Sequence, residues 1–87
     1  MQANHDAQYN RLSVCKWYLL AITNHTARGQ LRRFYDNAAH IWNSLDKEMV
    51  YCRRLNKITP MYTELTRQYN EAINTFNEWH LMAALSY

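Results

Sequence analysis

Apolar residues recur along this chain at steps of three and four, in three successive blocks. In the first, Leu12, Cys15, Leu19, Ile22 and Thr26 fall on one helical face. In the second, Leu31, Phe34, Ala38, Ile41, Leu45, Cys52 and Leu55 keep the same alternation, broken only by Glu48. Tyr35, Trp42 and Met49 widen that stripe at seven-residue intervals. In the third, Tyr62, Leu65, Tyr69, Ala72, Phe76, Trp79 and Ala83 carry the pattern, with Ile73, His80 and Tyr87 beside it. Spacing of this kind is what an amphipathic helix imposes on its buried face.

The only glycine, Gly29, and the only proline, Pro60, fall between the blocks. Gly29 is expected to close the first helix in the left-handed conformation that glycine tolerates. Thr59 is a good N-cap, and Pro60 suits the first helical position. Arg53, Arg54 and Lys57 fall where positive charge favours the end of a helix dipole. The pattern therefore predicts helices over about 6–28, 30–57 and 60–85 in one domain spanning 1–87. At 1.5 Å per residue each is roughly 33–42 Å long. Short links force antiparallel neighbours. The expected fold is all-α: an antiparallel three-helix bundle running up-down-up.

A register follows on paper. Folding the last two blocks about Ile58–Thr59 sets Leu45 against Ala72, Ile41 against Phe76, Ala38 against Trp79 and Phe34 against Ala83. Large side chains then meet alanines, as interdigitated packing requires. Glu48 falls against Tyr69, whose hydroxyl can donate to it. Folding the first two blocks about Gly29 brings Leu12 to Leu45 and Leu19 to Ala38.

Composition narrows the classes. At 48% hydrophobic and 14% aromatic, the chain is too apolar to be disordered. The first ten residues are polar, and the longest apolar run, Trp17 to Ile22, is too short to span a bilayer. A cytoplasmic protein without a membrane partner is expected, with the sequon Asn24-His25-Thr26 unused. Cys15 and Cys52 lack metal-site spacing and fall on core stripes, so both are expected to be buried and unbridged. His5, His25, His40 and His80 form no paired ligand motif, and one glycine cannot build a phosphate loop. No metal or cofactor is expected.

The most informative surplus lies on the first helix. Val14, Trp17, Leu20 and Ala21 lie opposite its core stripe, and Leu81 and Leu85 lie off the third helix's stripe at the same end. A helix that is apolar all round is either buried on two sides or adhesive. These six residues are read as an interface for a protein partner or a second copy. That makes the chain an adaptor, inhibitor or assembly subunit, and a homo-oligomer.

A second reading uses the basic groups Arg28/Arg32/Arg33 and Arg53/Arg54/Lys57 as nucleic-acid contacts within a net charge of +3. The two groups fall at opposite ends of one helix, and acidic residues appear interspersed, so no one-sided basic footprint is expected. A third reading rests on Arg33 and His40. Their spacing resembles the Arg-x(4–6)-His pattern of HEPN ribonucleases, whose arginine and histidine form a catalytic site in a dimer. Here the two share a polar face with Asp36, Asn37, Asn43 and Lys47. The chain is not expected to be an enzyme.

Overall fold

A computed structural model describes the backbone of residues 2–85 and the side chains of residues 6–82. It contains three helices: α1 (Gln2–Ala21), α2 (His25–Leu55) and α3 (Pro60–Leu85). Each packs on both of the others, and α2 with α3 is the most extensive pair. The core joins Leu12 and Cys15 from α1, Leu31, Ala38, Trp42 and Leu45 from α2, and Tyr69, Ala72, Ile73 and Phe76 from α3. Ile22, in the first turn, closes it at one end. The helical spacing read from the sequence thus picks out most of the buried set. Leu55 and Trp79 are exceptions, 41% and 40% exposed. Ala83 lies outside the described side chains.

The first boundary corrects the expectation for Gly29. That residue lies inside α2, with open space around the position of a Cβ and no positive φ. The chain turns earlier, at Ile22–Thr23–Asn24. Asn24 is extended (φ −71°, ψ 120°), and its side chain accepts from the Ala27 N–H at 3.0 Å. An asparagine that offers its own acceptor to the orphan amides of a first turn starts a helix more firmly than a glycine ends one. The Arg28 side chain donates to the Ile22 carbonyl, tying the start of α2 to the turn. Thr26 accordingly sits exposed in α2, not on the α1 stripe.

The second boundary shifts the register. Asn56 adopts the left-handed conformation (φ 54°, ψ 39°). Its N–H donates to Arg53 O and that of Lys57 to Cys52 O, both at 3.2 Å, the paired closure of a Schellman motif. Arg53 and Arg54 occupy the last turn as expected, but Lys57 lies beyond it. Because α2 closes at Asn56, before Ile58, the partners across α2 and α3 differ from the expected ones by more than one turn. Trp79 stacks on Phe34 (ring centroids 5.6 Å), not on Ala38. Tyr69 meets Trp42 (5.5 Å), not Glu48, and donates to the Gln8 carbonyl of α1. Glu48 instead accepts from the Thr59 hydroxyl at 2.7 Å.

Thr59 caps α3 as expected, accepting from the Tyr62 N–H at 3.1 Å. Beside its core contacts, the α1–α3 seam carries a polar line. Arg11 donates to Asn70 (2.6 Å) and Asn74 (3.3 Å), and the Cys15 thiol faces Asn77 Oδ1 at 3.9 Å. These asparagines follow one another at helical spacing on α3. Tyr9 of α1 meets Trp42 of α2 with centroids 5.4 Å apart, in place of the Leu12–Leu45 level expected from a turn at Gly29.

Candidate functional site

The apolar surplus of α1 stays in solvent. Trp17 is 71% exposed, Leu20 62% and Val14 44%, and Ala21 is also exposed. Val14, Trp17, Tyr18 and Ala21 are spaced i, i+3, i+4, i+7, so they form one contiguous strip on the outer side of the helix. Leu20 extends that strip toward α2. On the α3 side it runs into a groove lined by Tyr18 and His80, whose rings stack at 4.3 Å and 10°. Val14 and Leu81 form opposite lips of this groove, and Leu81 is 60% exposed. Val14, Trp17 and Ala21 thus share one exposed side of α1, and Leu81 joins them only through the groove it lines with Val14. The side chain of Leu85 lies outside the described residues.

The sequence did not single out Tyr18. It lies at the α3 edge of the outer strip, where it meets the ring of His80. The two rings cover each other face to face, which fixes both in place as walls of the groove.

Cys15, on the core side of α1, is buried and unbridged, and burial raises its thiol pKa above the ordinary value despite the nearby Arg11 guanidinium. A protonated buried thiol is a poor nucleophile. Cys52 is likewise buried and unbridged, 3.5 Å from the Thr59 hydroxyl. Among the described residues, no three His, Cys, Asp or Glu side chains gather where they would hold a metal ion. No helix among them is long and apolar enough to cross a membrane.

The basic residues separate as expected, at the two ends of α2. Roughly 25 residues between Arg28 and Arg53 correspond to about 37 Å. Several are already engaged by the protein. Arg28 holds the Ile22 carbonyl, Arg32 stands 3.9 Å from Asp36, and Arg53 lines a groove with Asp6, Tyr9 and Trp42. Arg33, Arg54 and Lys57 are exposed. Arg33 and His40 lie two turns apart on the exposed side of α2.

Comparison with protein-family models, curated proteins and solved structures finds no match to this chain.

Proposed function

We propose that this chain is a protein–protein interaction module that receives its partner on the outer face of α1. In this reading the three helices run up-down-up. The Trp42–Tyr69 and Phe34–Trp79 contacts step in opposite senses along α2 and α3, which supports antiparallel neighbours. Gln8–Tyr69 and Tyr18–His80 step in the same sense along α1 and α3, as an up-down-up order requires. A cytoplasmic site of action is part of the proposal. Two buried, unbridged cysteines suit a compartment that keeps thiols reduced.

The observation that carries the reading is Trp17, 71% exposed at the centre of a strip with Val14, Leu20 and Ala21. Single exposed apolar residues are normal, but a contiguous group marks a contact surface. Each large side chain left in water forgoes roughly 1.5–3 kcal/mol of burial free energy. The Tyr18–His80 pair and Leu81 continue the surface onto α3.

The test is the double change Trp17→Ser, Leu20→Ser. Helicity and thermal midpoint should be kept. Fluorescence of an apolar-surface dye should fall. Partner binding should weaken by at least ~2 kcal/mol, the loss of a hot spot. Proteins captured by the wild type and absent with the variant identify the partner. Unfolding of the variant would assign the strip to the core, and an unchanged set of captured proteins would move the interface elsewhere.

A further inference from the structure

The outward face of the α2–α3 pair carries its charges in two rows. On α2, Arg33, His40, Lys47 and Arg54 recur every seven residues, and all four are exposed. On α3, Glu64, Glu71 and Glu78 recur at the same interval, and all three are exposed. Seven residues rise about 10.5 Å, so the rows share one repeat. The two helices differ in the balance of their charges, because nearly all the basic residues of the pair lie on α2. α2 holds six Lys and Arg against three Asp and Glu, whereas α3 holds one Arg against three Glu.

The rows are also level with each other. Counting outward from Trp42–Tyr69, in the antiparallel sense proposed above, puts Lys47 beside Glu64, His40 beside Glu71 and Arg33 beside Glu78. Lys47 and Glu64 form opposite edges of one groove, floored by Tyr51, Met61 and Leu65. Tyr51 is 50% exposed and Met61 60%. Among the described residues no ion pair joins the rows across this groove. Arg67 is shared between Glu64 (2.5 Å) and Glu71 (2.6 Å) within α3. That leaves the α3 row net acidic, since one guanidinium bridges two of its three carboxylates and Glu78 adds a third negative charge. Hydrogen bonds from Arg67 and Gln68 hold the Glu64 carboxyl at about 2, so it is ionised at neutral pH.

We propose that a second copy of this chain docks on the α2–α3 face, related by a two-fold axis running along the rod. Such a rotation keeps every residue's height and exchanges left for right. α2 of each copy then lies over α3 of the other. Lys47 comes over the partner's Glu64, His40 over the partner's Glu71 and Arg33 over the partner's Glu78, and each pairing occurs twice. A two-fold axis across the rod would stack α2 on α2 and set like charges together, which is unfavourable. One face thus serves both copies, as an isologous contact requires. Tyr51, Met61 and Leu65 from each side meet at the end of the face nearest the α2–α3 turn, and the charged rows run along the rest of it. The length and width of the whole molecule, 49 and 18 Å, bound the area of one side at about 880 Å². A standard stable interface needs about 800 Å² per partner. The α1 strip remains outside this contact.

Light scattering and sedimentation equilibrium of the full chain test the proposal. The wild type should have the mass of two chains, with association weakening as salt rises. Glu64→Lys, Glu71→Lys, Glu78→Lys makes both rows basic. Arg33→Glu, His40→Glu, Lys47→Glu makes the three paired positions of the α2 row acidic like those of α3, with Arg54 unchanged. Each triple variant alone should be monomeric, its dissociation constant raised at least ~100-fold by facing like charges. An equimolar mixture of the two should restore a dimer containing one of each. Circular dichroism checks folding, and the single exchanges Lys47→Glu and Glu71→Lys serve if a triple variant unfolds. A wild type monomeric throughout, reversals that leave the dimer intact, or a mixture that stays monomeric would overturn the proposal. So would loss of the dimer in Trp17→Ser, Leu20→Ser, which would assign self-association to α1. That variant should dimerise normally while losing its partner, so the two interfaces fail independently.

Discussion

Thr59 serves three neighbours with one hydroxyl. Its oxygen accepts from the Tyr62 amide at 3.1 Å, and its proton goes to Glu48 at 2.7 Å. The Cys52 thiol, 3.5 Å away, must then donate its own proton to the second lone pair. Every capacity of the hydroxyl is used at a position 8% exposed. The cap was legible in the Thr-Pro dipeptide, whereas the partner of Glu48 depended on where α2 stops. Thr59→Ser should be nearly neutral. Thr59→Val keeps the shape but loses the cap, about 1 kcal/mol. It also strands the Glu48 carboxylate and the Cys52 thiol, at about 1–3 kcal/mol together. A urea midpoint should therefore show a loss of about 2–4 kcal/mol for valine. A loss under ~0.5 kcal/mol would mean that the network does not form.

At the scale of elements, the helices were legible and their ends were not. Periodicity reports which face is buried, and the predicted Leu31, Ala38, Leu45 and Phe76 are buried accordingly. Helix ends depend on single side chains competing for a few backbone groups. Both ends of α2 are set by asparagines, Asn24 as N-cap and Asn56 in the left-handed closure. Gly29 seemed the stronger punctuation, yet it lies in the second turn of α2. The substitution Gly29→Ala gives a signed test. In a helix interior with open space, alanine should raise stability by about 1 kcal/mol. In a left-handed C-terminal position it would lower stability by about 1–2 kcal/mol. The α1 strip was legible because its apolar residues exceeded what one core face needs. The charged rows were visible as a seven-residue spacing, but only the packing of α2 beside α3 makes them a pair.

For the whole molecule, the three helices are not held equally. α2 and α3 share the aromatic core through Trp42–Tyr69 and Phe34–Trp79. α1 meets α3 through Leu12, Cys15 and the Tyr18–His80 stack, but much of that seam is the polar line of Arg11 and the asparagines. Polar seams of this kind gain less on closing than apolar ones, because water competes for the same hydrogen bonds. Native-state hydrogen exchange should therefore find the α1 amides opening below the global free energy, with the middle of α2 and α3 opening only on complete unfolding. Equal protection in all three helices would show α1 to be a full member of one cooperative unit.

The molecule measures 49 × 18 × 16 Å, with a radius of gyration of 14.4 Å. A rounder domain of this length would have about 12 Å. An elongated particle drags more solvent than a sphere of equal mass. A gel-filtration column calibrated on spherical standards will therefore overstate the mass of the monomer. Two such rods laid side by side make a thicker, rounder particle, whose apparent mass departs less from the true one. Elution volume compresses the difference between one chain and two, so for this shape stoichiometry has to come from a measurement that is blind to friction.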